Sequence, residues 1–158
     1  MKLYIKQRVF SWLDRFYVKD AKSDDKYYAK GELMFFLKRL NVYDMAGKRL
    51  ACINQEFNLF MPTFVITIGE HEVCRVVKKF QLFRNDYYIE GLPWELEGDF
   101  WAHEYGMYEG GKVVMTLSKE WFTWGDSYEL NIKDPKNELI CLCIALAVDC
   151  AMAVGKKR

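Results

Sequence analysis

Phe10-Ser11-Trp12-Leu13-Asp14-Arg15-Phe16, near the start of the chain, returns as Phe122-Thr123-Trp124-Gly125-Asp126-Ser127-Tyr128 near its end. Aromatic matches aromatic, hydroxyl matches hydroxyl and Asp matches Asp. Self-similarity of this kind marks one supersecondary unit used repeatedly. The pattern extends inward. Phe57-Asn58-Leu59-Phe60 with Phe64-Val65-Ile66 aligns with Phe80-Gln81-Leu82-Phe83 and Tyr87-Tyr88-Ile89 at an offset of 23, and Leu33-Met34-Phe35-Phe36 with Leu40-Asn41-Val42 aligns at 24. Each unit reads as a strand, an apolar tip, a short turn and a returning strand.

Turn residues punctuate the chain between these tips, at Ala21–Asp25, Asp44–Gly47, Gly69–Glu72, Leu92-Pro93 and Glu109-Gly110-Gly111. Short alternating runs at this spacing predict an all-β meander of roughly a dozen strands. A sheet that long is expected to close into an antiparallel barrel, because closure removes unpaired edges.

One segment breaks the pattern. Asp134-Pro135 reads as an N-cap followed by proline at the first helical position, with Glu138 in the first turn. Leu139 to Val154 is then apolar except for Asp149, and Gly155 is the expected stop. A helix apolar all round belongs inside protein or lipid. Sixteen residues fall short of the ~20 that cross a bilayer, and a carboxylate sits among them. The length, ~24 Å at ~1.5 Å per residue, matches strands of seven or eight residues. The segment therefore reads as a central helix threaded through the barrel. The expected organisation is one domain over 1–158, with barrel strands over 1–133 and the helix over 134–155.

Composition narrows the function. The chain has 158 residues, 51% hydrophobic and 16% aromatic, with a net charge of +1. These values exclude a disordered chain and give no support to nucleic-acid binding, which needs a basic face. Five cysteines (Cys52, Cys74, Cys141, Cys143, Cys150) form no paired framework, and three lie in the apolar segment. They read as core thiols of a cytoplasmic protein, and the first residues lack a signal-peptide core. His71 and His103 stand alone, Ser118 and Ser127 lie in strand-like runs, and no phosphate-binding glycine loop is present. Asp14 and Asp126 read as turn-capping carboxylates. The expectation is a protein without cofactor or metal, and not an enzyme.

The barrel-with-helix arrangement resembles the tubby C-terminal domain. The residues that carry a closer likeness are Tyr4-Ile5-Lys6-Gln7 with Phe10-Ser11-Trp12, Val42-Tyr43-Asp44 and Val76-Val77-Lys78-Lys79-Phe80. They continue through Trp94-Glu95-Leu96-Glu97-Gly98-Asp99-Phe100 and the run from Lys119 to Tyr128. On these motifs the chain is similar to a bacterial member of the LOR family, a relative of the tubby and phospholipid scramblase groups. The resemblance covers nearly the whole chain. It implies a closed barrel around a hydrophobic C-terminal helix and no shared catalytic motif. Tubby domains bind phosphoinositides through basic residues, which the resemblance does not carry onto positions of this chain.

Two sites follow from the residues. If alternate turns share an end, one rim gathers Trp12-Leu13, Phe35-Phe36-Leu37, Leu59-Phe60-Met61, Leu82-Phe83, Phe100-Trp101 and Trp121-Phe122. Adjacent apolar residues cannot both face inward along a regular strand. The candidate docking residues are therefore Phe36, Phe60, Phe83 and Trp101, with the basic Arg15, Lys38, Arg39 and Arg84 in the same turns. The helix should deliver Lys156, Lys157 and Arg158 to that rim. Aromatic tips beside a basic tail suit an anionic membrane lipid or a protein partner, so a peripheral membrane location is the companion expectation. A second reading is a carrier or sensor holding a small apolar or acidic ligand inside the barrel near Asp149, whose carboxylate needs a partner there.

Overall fold

The structure is a computed structural model that describes residues 1–6, 15–34, 36–58, 60–81, 84–122 and 125–154, with the backbone alone of residues 16, 81, 84, 85, 121, 122, 125 and 126. Twelve strands follow in chain order: β1 Lys2–Lys6, β2 Arg15–Asp20, β3 Asp25–Met34, β4 Leu37–Asp44, β5 Arg49–Glu56, β6 Thr63–Ile68, β7 His71–Gln81, β8 Arg84–Glu90, β9 Glu95–Asp99, β10 Glu104–Glu109, β11 Lys112–Phe122 and β12 Gly125–Ile132. A 3₁₀ turn over Pro135–Asn137 leads into the helix α1, Glu138–Ala153.

All strands form one sheet in the order β8-β7-β6-β5-β4-β3-β2-β1-β12-β11-β10-β9, every neighbour antiparallel. The pairing of β1 with β12, Leu3 opposite Leu130, joins the two ends of the meander. The barrel is nearly closed. Its ladder stops at β8 on one side and β9 on the other. Register shifts at Val18/Lys19, Val42/Tyr43, Ile66/Thr67 and Met107/Tyr108 fall in the same half of the barrel. Such bulges sharpen twist, which is what curling a long sheet requires.

Period-two alternation explains the core. Leu3 and Ile5, Ala51 and Ile53, Phe64 and Ile66, Cys74 and Val76, and Leu130 and Ile132 alternate with less buried neighbours and belong to the core, as do Leu40 and Val42, between which Asn41 is also buried. Helix residues 140–148 and 150–152 are all buried, so α1 is the axial core of the barrel. Burying each of its Ile, Leu, Val and Met side chains contributes about 1.5–3 kcal/mol, and the Ala and Cys residues less. That explains how a helix without a polar face stays in a protein interior.

The helix is shorter than expected at both ends. Asp134 caps the 3₁₀ turn, its carboxylate accepting from the Lys136 amide at 3.0 Å. The Asn137 amide reaches back three residues to the Asp134 carbonyl at 2.9 Å, so the first turn winds too tightly to be α. At the far end Val154 is already extended (φ −72°, ψ 128°), so the last helical residue is Ala153, two before Gly155. Gly155 and the tail lie outside the described residues. No helix among the described residues is long and apolar enough to cross a membrane.

Candidate functional site

Strict antiparallel order places the β3–β4, β5–β6, β7–β8 and β9–β10 turns at one end, with the C-terminus of α1. The three repeat units over residues 33–42, 57–66 and 80–89 are the first three of these hairpins. Phe10–Asp14 and Thr123-Trp124, the tips of the opening repeat, lie outside the described residues, and with them the turn-capping role expected of Asp14. The side chain of Asp126 is also outside them.

Apolar exposure concentrates at this rim. Of the twelve exposed large apolar side chains among the described residues, eight stand there: Leu33, Met34, Phe36, Phe57, Phe60, Met61, Phe80 and Trp101. Phe60 is 79% exposed, Phe36 69% and Trp101 60%. Phe36 meets Phe57 edge to face at 5.6 Å, so two neighbouring tips support one another. Asn58 holds the β5–β6 tip, its side-chain oxygen accepting from the Phe60 and Met61 amides, both at 3.0 Å. The Phe100-Trp101 pair divides its work. Phe100 is buried against Tyr87 and Tyr105, at 4.7 and 5.0 Å between rings, while Trp101 faces out.

The basic candidates are more constrained than the aromatic ones. Arg15 opens β2 with its guanidinium 4.5 Å from the Tyr28 ring centre. Arg39 donates from Nε to Asn54 Oδ1 at 2.6 Å. Lys38 is half-buried, and its backbone amide donates to Gln55 Oε1 at 3.1 Å. Arg84 begins β8, but its side chain lies outside the described residues, as do Phe83, Lys156, Lys157 and Arg158 entirely.

Beneath the rim, two residues that sequence reasoning passed over hold the helix end. Lys78 is buried on β7, and its ammonium donates to the carbonyls of Ala151 at 3.3 Å and Val154 at 3.2 Å. Glu138 at the other end accepts from Tyr27 at 2.8 Å and pairs with Lys26 at 2.7 Å. An acid at the N-terminus and a cation at the C-terminus both complement the helix dipole. A signal for Lys78 existed: of the consecutive Lys78 and Lys79 in a two-fold strand, one must face inward.

His103 is the second. Held at φ +55° in the β9–β10 turn, it stacks on Tyr128 at 4.3 Å and places Nε2 3.5 Å from Asp149 Oδ1. The side chain that the structure places beside the Asp149 carboxylate is thus a histidine. Burial pushes the Tyr87 phenol up to about 12, with a smaller contribution from the Asp149 charge. The same two causes, burial first, raise Tyr105 well above the ordinary range. Tyr105 Oη and Asp149 Oδ1 are buried and make no hydrogen bond among the described residues.

His71 and His103 lie at opposite ends of the barrel, and no group of three or more His, Cys, Asp or Glu among the described residues could hold a metal ion. The five cysteines are buried, and burial pushes Cys74 and Cys141 up to about 12, away from the reactive thiolate.

A twelve-stranded, nearly closed antiparallel barrel threaded by a C-terminal helix defines a tubby-like domain. The sequence profile of the LURP-one-related (LOR) family matches residues 1–149. The chain belongs to that family. It is 36% identical over 149 residues to the uncharacterized protein YxjI of Bacillus subtilis (strain 168), covering 94% of this chain and 92% of that protein. The fold is also that of an X-ray structure of a protein from Arabidopsis thaliana, at a TM-score of 0.61, 13% identity and coverage of 94% and 90% of the two chains.

Proposed function

We propose that this chain is a non-enzymatic binding module that docks by its rim onto an anionic membrane surface. The observation that supports it is the gathering of eight exposed large apolar side chains at the end where the hairpin tips collect. Exposed patches of this kind mark interaction surfaces. Their placement on separate hairpin tips, standing proud of a rigid barrel, suits shallow insertion among lipid headgroups better than a flat protein interface. Burying each aromatic contributes about 1.5–3 kcal/mol, so three tips are enough for reversible attachment. Arg15, Lys38 and Arg39, together with Lys156, Lys157 and Arg158, would add attraction worth about 1 kcal/mol per cation near an anionic surface.

The test is sedimentation with phosphatidylcholine vesicles and with vesicles that also contain phosphatidylglycerol, at low and moderate salt. Binding to the anionic vesicles that falls with salt, and falls again in a version ending at Gly155, is the expected result. Absence of binding to either vesicle would leave the rim as a protein-partner surface and end the lipid reading.

A second reading rests on the interior. Asp149 Oδ1 and Tyr105 Oη are two buried polar atoms without a hydrogen bond among the described residues, close beneath the mouth of the barrel. Buried groups of this kind accept a partner readily. A small ligand carried there would need a hydrogen-bond donor for the carboxylate, and soaking with small polar molecules followed by tyrosine absorbance would detect it.

A further inference from the structure

The barrel has a seam. β8 and β9 are the two ends of the sheet order and share no ladder, so among the described residues each carries one unpaired edge facing the other. Between them runs a cavity of about 730 Å³ lined by residues of β8, the connecting turn and β9. Edges of this sort are templates for another strand.

The two edge strands carry a chemical pattern. Along β9, Glu95, Glu97 and Asp99 alternate outward, while Leu96 packs against the core. Along β8, Asp86, Tyr88 and Glu90 alternate outward, while Tyr87 and Ile89 face the interior. The seam therefore has carboxylates on its outer face and apolar groups on its inner one, with Trp94 at one end and Phe100 at the other. Asp86, Glu95 and Glu97 line the cavity, and no Lys or Arg does among the described residues. On β8, Asp86 lies opposite Lys79 and Glu90 opposite Arg75. On β9 the facing strand supplies no cation: the residues opposite Glu95, Glu97 and Asp99 on β10 are Tyr108, Gly106 and Glu104. Glu104 facing Asp99 is a like-charge cross-strand pair, each carboxylate accepting one backbone amide (Lys119 and Ala102, both at 3.0 Å), and a cation placed there would relieve the repulsion that remains.

We infer that this seam accepts an extended segment of a partner protein in which Lys or Arg alternates with apolar residues. The segment lies antiparallel to β9 as an added strand, its backbone pairing with the unpaired edge. Its basic side chains pair across with Glu95, Glu97 and Asp99, and its apolar ones turn inward over Leu96 and Tyr87. A five-residue segment is ~17 Å long at ~3.3 Å per residue, the length of β9 itself. A free amine or metal cation would satisfy the charge but not the strand edge, so the occupant is a peptide. The site lies on the barrel wall and is independent of the rim and of any lipid.

The test uses a labelled synthetic peptide, Ac-Lys-Val-Arg-Ile-Lys-Val-Lys-amide, titrated into the whole protein without lipid and read by fluorescence anisotropy and by Trp94-dependent emission. Three controls accompany it: a peptide of the same composition with its basic residues in one block, one N-methylated at alternate amides, and one with Glu in place of Lys and Arg. Saturable binding by the alternating peptide, weakened about tenfold or more in the first two controls and abolished in the third, is expected. The double substitution Glu95→Lys with Glu97→Lys should then reverse the preference between the Lys and Glu peptides. Equal binding of the alternating, blocked and methylated peptides would reduce the seam to a diffuse acidic patch and overturn the inference. So would no binding at all. If the double variant does not fold, the peptide series with the unmodified protein decides alone.

Discussion

Lys78 Nζ lies 3.2 Å from the carbonyl oxygen of Val154, and through this contact the wall of the barrel caps the helix at its centre. The last turn of α1 ends on the extended Val154, whose amide reaches back to the Ala151 carbonyl at 3.3 Å, so the Val154 carbonyl and the second lone pair of the Ala151 carbonyl are open to a donor from outside the helix. Lys78 supplies it from a position only 3% exposed. Replacing a buried ion by an apolar residue is neutral where its partners are lost with it, but here the carbonyls stay behind. Lys78→Met should therefore destabilise the protein by about 1–3 kcal/mol and lower Tm by roughly 2–4 °C per kcal/mol. Thermal and urea melts measure this. An unchanged midpoint would show that the two carbonyls find other donors.

Gly98 makes a separate demand, on the edge strand β9. Its φ of +139° is a region that side chains rarely adopt, and a Cβ there would sit 2.6 Å from both the Glu104 carbonyl oxygen and the Tyr105 Cα. Both neighbours are backbone of β10 and cannot swing away. Gly98→Ala should cost about 2–4 kcal/mol from strain and displacement together. Unfolding in urea gives the number, and a loss under about 0.5 kcal/mol, the range of an ordinary surface change, would contradict the close approach.

The strands, their meander and the interior helix could be read from residues because each follows a local rule. Asp44 in its turn accepts from the Ala46 and Lys48 amides at 3.0 and 2.9 Å, as a turn aspartate does. Phe36, Phe60 and Trp101 were placed at one end by strand parity alone, and their exposure follows from lying at hairpin tips. What could not be read were relationships between strands distant in sequence. Whether β8 meets β9 depends on curvature accumulated over the whole sheet, and no local pattern encodes it. His103 meets Asp149 only because the β9–β10 turn bends over the helix end, a contact across 46 residues that periodicity does not report. Lys78 lay between the two cases: parity marks it as inward, but only the fold shows what it would touch.

Phe60 separates docking from folding. At 79% exposed it contributes little to the core, so Phe60→Ser should leave the melting curve within about 0.5 kcal/mol of the original. If the rim inserts into lipid, the same change removes about 1.5–3 kcal/mol of burial there, a loss of roughly tenfold or more in vesicle affinity. Phe36→Ser should act similarly, with a small additional loss of stability from its edge contact with Phe57. Vesicle affinity that ignores both substitutions would place lipid attachment elsewhere on the molecule.

The pH dependence of stability reports on the interior beside Asp149. The Tyr87 phenol rises from its ordinary value of 10.0 to about 12 in the folded protein, because burial and then the Asp149 charge disfavour phenolate. A folded pKa above the unfolded one gives stability that is complete below pH ~10 and is lost as pH climbs through the folded value. Two pKa units correspond to at most about 2–3 kcal/mol for this one group. Stability should thus hold through neutral pH and fall steadily from about pH 10 to 12, and Tyr87→Phe should flatten part of that slope. Asp149→Asn removes the smaller of the two causes, so it should lower the Tyr87 transition while leaving it above the ordinary phenol, because burial remains. Absorbance of phenolate followed across the alkaline range, in the original protein and the two variants, measures both effects. A Tyr87 transition that does not move in Asp149→Asn would mean that the carboxylate charge does not reach the ring, and burial alone would then account for its shift.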